Sequence, residues 1–253
     1  MEAAEREILI VGWDIDSAVE LIRDDSHPLY PSPLADTLQA LVERKPSLEV
    51  RVLSWDFAMV YVLERELLPA YRFGWQDSER LHFHLDGEHA TGASHHQKFV
   101  VIDGDLAFIG GLDLTKSRWD SREHAAEDRR RVNSDGEAYR PFHDVQAIVS
   151  GETAQQLREL AAFRWKNATG TTLPHLDEAQ GEPADKTWPD CVPVRAADAD
   201  ACLARTWSEA GGGTVIHEVE QLFLDMIAAA TTSIYIENQY FTSESIAAAL
   251  SKR

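Results

Sequence analysis

Apolar residues along this chain fall into two alternating rhythms. "REILIVGWDI" (6–15) is a β-branched run and "SLEVRVLSW" (47–55) alternates apolar with polar, so both predict strands. Between them, "PSPLADTLQALVERKP" (31–46) places apolar residues at helical spacing, with Pro33 near its start and Pro46 after its end. "DFAMVYVLERELLPAY" (56–71) reads as a second helix with Asp56 as its N-cap, and "RLHFHLDG" (80–87) alternates again. Strand, helix, strand, helix, strand is the order of an α/β sheet. Further on, "FHDVQAIVSG" (142–151) predicts a strand and "ETAQQLRELAAFRWK" (152–166) an amphipathic helix. The last stretch, "HEVEQLFLDMIAAATTSIYIENQYFTSESIAAALSKR" (217–253), predicts helix, strand and the start of another helix.

Two stretches break the rhythm. Residues 116–141 are polar and longer than an ordinary connection, which marks a functional or mobile loop. Residues 167–200 carry prolines, glycines and acids with little periodicity and read as a connector. A faint repeat links "EILIVGWDIDSAVELI" (7–22) with "SIYIENQYFTSESIAAAL" (233–250): an apolar strand, a polar-aromatic exit and a helix start. Two similar βα units of one sheet would give the same pattern.

The run "SHHQKFVVIDGDLAFIGGLDL" (94–114) opens with polar residues that packing alone does not explain. Phe99 to Ile102 are apolar on both faces, so this strand is central and buried. Residues two apart on a strand share a face, so His96 and Lys98 point together and Gln97 points away. An imidazole beside an ammonium is unfavourable unless an anion sits between them, and a phosphoryl group fits. Lys98 would neutralise its oxygens while neutral His96 attacks phosphorus or passes a proton. Asp103-Gly104 suits a two-residue hairpin turn, and Gly110-Gly111 lets backbone approach a neighbour closely. A rival reading gathers His82, His84, His95 and His96 into a zinc site, although Lys98 would then set a cation beside the metal. A third treats His82, His84 and His95 as structural histidines.

The longer pattern favours the first reading. His96-x-Lys98, four residues, Asp103, six residues, then Gly110-Gly111-x-Asp113 resembles the HKD motif of the phospholipase D superfamily. "GGLDLTKSRWD", "ILIVGWDID", "FHDVQAIVSG…FRW" and "IYIENQYF" resemble further segments of that family, in its order. The resemblance implies an α/β fold: a mixed sheet flanked by helices, forming one half of a two-half pseudo-dimer. Its expected divisions are residues 1–166 for that half, 167–214 for the connector and 215–253 for the start of a second half. It also implies a catalytic set of His96 as nucleophile, Lys98 on the phosphate and Asp144 orienting His96. Asp103 completes the motif but, seven residues from His96, reads as a turn and fold residue. Substrate contacts are expected from Gly110, Gly111, Asp113, Trp119, Asp120, Glu237, Asn238 and Gln239, with no metal and no cofactor.

The implied reaction transfers the phosphatidyl group of a phospholipid to water or an alcohol through a phosphohistidine. Cardiolipin-synthase-type phosphatidyl transfer, nuclease activity, or a non-catalytic phosphate-binding remnant are the alternatives. The family uses two histidines, because the nucleophile starts neutral while the leaving oxygen needs a protonated acid. Of the ten histidines in the 253 residues, His96 alone has a lysine two positions later. A second half or a homodimer is therefore an expected partner, and the chain by itself is expected to be inactive.

Composition adds little to this picture. At 44% hydrophobic and 26% charged residues the chain reads as an ordinary globular protein. The formal charge of −19 speaks against nonspecific nucleic-acid binding and against electrostatic adhesion to anionic membranes. Membrane contact is thus expected to be transient. Neither a secretory signal nor a membrane span is visible, which suggests a cytoplasmic protein or one peripheral at a membrane. Cys191 and Cys202 read as free thiols of a reducing compartment rather than as a disulfide.

Overall fold

A computed structural model describes residues 1–23, 29–56, 78–176, 188–208 and 214–253. They form two compact units, one of residues 1–88 and 94–199, the other of 89–93 and 200–253.

The first unit is built on a six-stranded mixed sheet. Its strands are β1 (Glu7–Gly12), β2 (Glu49–Trp55), β3 (Leu81–Asp86), β4 (Phe99–Ile102), β5 (Leu106–Gly110) and β6 (Gln146–Ser150), in the spatial order β3-β2-β1-β4-β5-β6. β1, β2 and β3 run parallel, while β4, β5 and β6 are joined by antiparallel pairing. β4 is interior to the sheet and buried at every residue, as its apolar run requires.

Helix α1 (Leu34–Arg44) buries Leu34, Leu38 and Leu41, whose spacing puts them on one face. They join Ile8, Ile10, Val50, Val52 and Val100 in one core, each such side chain contributing roughly 1.5–3 kcal/mol when fully buried. Helix α2 (Glu152–Thr169) packs on β1, β3, β4, β5 and β6 through a face containing Ala154, Leu157, Ala161, Arg164 and Trp165. Part of the expected connector also belongs to this unit. Leu173 is buried, the Pro174 carbonyl accepts from Arg158 (2.7 Å), and Trp188 packs against the core.

In the second unit, β7 (Thr206–Trp207) pairs with β8 (Ile216–His217), followed by α3 (Glu218–Ala229) and α4 (Glu244–Ser251). Ser243 caps α4 by accepting from the Ile246 amide.

One expectation cannot be compared and two are modified. The helix expected over 56–71 lies outside the described residues apart from Asp56. No helix starts directly after β1 among the described residues. Instead Leu21 donates to the Ser32 carbonyl and Leu34 to that of Val19, and this bridged loop leads into α1. "SIYIENQYF" is not a strand: residues 233–241 are irregular, and Tyr235, Tyr240 and Phe241 are exposed. A strand needs a ladder partner for its backbone groups, and among the described residues no ladder includes this stretch.

The turn between β4 and β5 carries a second task. Asp103 (φ +52°) and Gly104 (φ +77°) both take left-handed backbone, as a mirror-image hairpin turn requires, and Asp105 N–H closes it on the Ile102 carbonyl (3.1 Å). The buried Asp103 carboxylate then accepts from the amides of Glu5 (2.8 Å), Arg6 (2.7 Å) and Glu7 (2.9 Å). It fastens the entry of β1 to the end of β4. We expect Asp103→Ala to cost about 2–4 kcal/mol in urea unfolding, because it strands buried amides. His96→Ala, as a control, should leave the unfolding midpoint nearly unchanged.

Candidate active site

His96 and Lys98 lie in an extended lead-in just before β4, held to β5 by the Gly110 N–H donating to the Lys98 carbonyl (3.3 Å). Side chains alternate there as on a strand. Lys98 is buried and pairs with Asp113 (3.0 Å), and its ammonium sits 5.8 Å from the Trp13 ring centroid. The His96 ring is 5.9 Å from Trp13. On the other side, Gln97 accepts from Arg164 (3.2 Å), and His95 Nε2 meets Asp86 (3.3 Å) and the Glu88 carbonyl (3.2 Å). Facing two acceptors, that nitrogen carries the proton.

Asp113 is the hub of the Lys98 side. Besides the ammonium it accepts from the amides of Trp13 (2.8 Å) and Asp14 (3.2 Å). Thr115 donates to Asp14 (2.7 Å) and Asp16 N–H to the Leu114 carbonyl (2.9 Å), stitching residues 113–115 to the exit of β1. Asp113 thus holds the lysine and the loop in place. A cavity of about 260 Å³, mostly apolar, opens beside this pair between β1, β4 and β5.

Asp144, just before β6, lies against Gly111, where a Cβ would meet its carboxylate unless that side chain shifted. Asp144 accepts from the Val145 amide (2.7 Å) and makes no hydrogen bond to the His96 ring, although its charge acts on both His96 and Lys98. Burial and then the Lys98 charge push the His96 pKa below its usual value, against the opposing pull of Asp113 and Asp144. Burial likewise lowers the pKa of Lys98, with Asp113 and Asp144 opposing it.

The other expected site residues are distributed differently. Asp103 sits at the far end of β4, where its carboxylate is committed to the amides of residues 5–7. Asp120, expected at an entrance, is consumed by the 116–141 segment itself. It pairs with Arg131 (2.9 Å), approaches His124 (3.4 Å) and accepts from the amides of Ser121 (2.8 Å) and Phe142 (3.2 Å). The Trp119 ring meets the guanidinium groups of both Arg23 (5.5 Å) and Arg130 (5.4 Å). Glu237, Asn238 and Gln239 belong to the second unit and are exposed there, Asn238 accepting from the Tyr240 amide. His82 and His84 face the edge of Trp165, so the four histidines of the rival reading have separate partners. Among the described residues, no group of three or more His, Cys, Asp or Glu is arranged for a metal. Cys191 and Cys202 are free and exposed, and among the described residues no helix is long and apolar enough to cross a membrane.

Sequence reasoning missed Arg164. It is fully buried, with Nη2 (2.7 Å) and Nε (3.2 Å) on one oxygen of Asp86. The available signal was a charged residue three positions after Ala161 on the apolar face of α2. Burial alone would raise the Asp86 pKa, but the His95 hydrogen bond and the Arg164 charge hold it down at about 2. A depressed folded value contributes stability above the unfolded value near 4 and loses it as pH falls. We expect about 2 kcal/mol to vanish between about pH 4 and pH 2 in urea titrations. That component should be missing in Asp86→Asn.

Comparison with known proteins adds a second line of observation. The family model described as Phospholipase D matches residues 75–250. "Phospholipase D alpha 1" of Ricinus communis is 27% identical over 313 aligned residues, covering 96% of this chain and 38% of its own length. "Phospholipase D A" of Dictyostelium discoideum is 25% identical, covering 96% of this chain and 20% of its own. This chain therefore spans well under half the length of these relatives. A phospholipase D family member, Nuc from Salmonella typhimurium, aligns over 65% of this chain and 81% of its own with a TM-score of 0.39 and 12% identity.

Proposed function

Because this chain belongs to the phospholipase D family, we propose that it carries one catalytic half of a phosphodiesterase acting on phospholipids. One observation carries the reading: His96, kept neutral, stands beside a buried Lys98 that Asp113 holds in position. A ring nitrogen of His96 attacks phosphorus, a phosphorus–nitrogen bond forms, and the phosphorus–oxygen bond to the headgroup alcohol breaks. Lys98 balances charge on the non-bridging oxygens. Water or a second alcohol then attacks phosphorus, giving up its proton, and the phosphorus–nitrogen bond breaks to restore the imidazole. Asp144 accepts from the other ring nitrogen, fixing the tautomer of the neutral imidazole before attack and stabilising the positive charge that attack creates, a contact that substrate binding tightens.

The leaving alkoxide must take a proton in the first step, and neutral His96 cannot supply it. No second His-x-Lys occurs in these 253 residues. The acid is proposed to come from outside them, in further polypeptide or in another copy of the chain.

The test is acid-quench trapping with phosphatidylcholine on the competent assembly. Wild type should yield phosphohistidine and release choline. His96→Ala should yield none and lose on the order of 10³-fold or more in turnover. Asp144→Asn should keep the fold and lose about 10²- to 10⁴-fold. Cleavage of bis-p-nitrophenyl phosphate without choline release would reject the lipid substrate, and undiminished turnover in His96→Ala would reject the nucleophile.

The depressed His96 pKa gives a pH signature. The nucleophile is active when neutral, so activity should persist below the usual imidazole range and fall only as pH drops through its lowered value. Lys98→Met removes a cation that favours the neutral ring, so His96 should titrate at higher pH. Ring-proton NMR of the chain measures this without turnover. An unchanged or lower His96 pKa in that variant would show that the two groups do not interact.

A further inference from the structure

The charges around His96 do not balance for an anionic substrate without one more cation. Lys98 is paired with Asp113 at 3.0 Å, and the Asp144 carboxylate acts on Lys98 and His96 as well. One ammonium against two carboxylates leaves a net charge of −1. A phosphodiester carries another negative charge into the same space.

Arg118 is placed to correct this. It is half-buried, and its guanidinium lies over the Phe142 ring at 5.1 Å, two residues before Asp144. Phe142 is itself fixed, its amide donating to Asp120 (3.2 Å). On the other side, Arg118 follows five residues after Asp113, and Ser117 (φ +62°) turns the backbone immediately before it. Three other cations of this segment are occupied: Lys116 pairs with Asp135, Arg130 with Asp128 and Arg131 with Asp120. Arg118 forms no ion pair with a described residue. Its stacking on Phe142 leaves the in-plane N–H groups free to meet an oxyanion, the geometry that suits a guanidinium to phosphate. Its field already reaches Lys98, where it acts against the ammonium.

We propose that Arg118 is a second phosphoryl-binding cation of this site, contacting a non-bridging oxygen of a phosphodiester whose phosphorus faces His96. This rests on the phosphodiesterase reading and extends it, because it places two cations on the phosphate within residues 1–253. With Arg118 included, Lys98 and Arg118 balance Asp113 and Asp144. Only then does the substrate enter a neutral site.

The full chain should be titrated with inorganic phosphate and, separately, with dihexanoyl phosphatidylcholine below its micellar concentration, following the His96 ring protons by NMR. Wild type should bind both. Arg118→Ala should weaken both by about tenfold, Arg118→Lys by less, and Phe142→Leu should fall between, with urea midpoints unchanged. In the competent assembly, Arg118→Ala should raise KM more than it lowers kcat. Equal affinity of wild type and Arg118→Ala for either ligand would overturn the inference while leaving the function intact. Failure of wild type to bind either ligand would overturn the phosphodiesterase reading, and this inference with it.

Discussion

A guanidinium with no solvent access must be paired, and the Arg164–Asp86 contact is the constraint on which the arrangement of the site depends. Removing one partner of such a pair typically costs about 3–5 kcal/mol, since the other charge is left buried alone. Here every polar atom of the carboxylate is used: Arg164 takes one oxygen, while His95 and the Glu88 amide share the other. Because Arg164 also donates to Gln97, the pair grips two alternate residues of the 95–98 segment. The intervening residues are then turned the opposite way, toward Trp13 and Asp113. The direction in which His96 and Lys98 point is thus set by a buried ion pair on the reverse face.

Much of the fold was legible because its elements follow simple periodicities. β1 to β6, α1 and α2 all lie where alternation or helical spacing puts them. The failures share a cause. "SIYIENQYF" has strand composition, but a strand exists only with a neighbour, and composition says nothing of neighbours. The stretch after β1 has helical spacing around Ser17 to Ile22, yet its backbone groups are satisfied across a loop by residues 31–33. Tertiary hydrogen bonds outweighed local preference in both directions.

The site was legible to a different extent. His96 and Lys98 announce themselves as polar residues opening an apolar run, and their shared side follows from parity. Arg164 and Arg118 do not, because their roles depend on what faces them across the fold. Arg164 looks like one charge in an amphipathic helix until its face is known to be buried. Arg118 sits among six other lysines and arginines between residues 116 and 140, and only its place over Phe142, with its charge acting on Lys98, singles it out. Asp120 shows what sequence leaves out: its carboxylate also holds its own loop, through Arg131 and the Phe142 amide.

The sheet also explains why the motif has its spacing. Four residues separate Lys98 from Asp103 because they are β4 itself, Phe99 to Ile102. The lysine therefore stands at one end of a strand and the aspartate at the other, roughly 13–17 Å apart at the rise of an extended chain. The chain then returns antiparallel, with Phe99 opposite Ile109 and Ile102 opposite Leu106. That register brings Gly110 back beside Lys98, and three residues later the loop delivers Asp113 to the ammonium. Asp103 and Asp113 look alike in sequence but do opposite jobs. Asp103 closes the hairpin and ties it to β1, which fixes the register. Asp113 uses that register to hold the lysine where a phosphate would need it. A slip of one residue in this hairpin would leave every residue type in place and still separate Lys98 from its carboxylate, because alternate residues face opposite sides of the sheet.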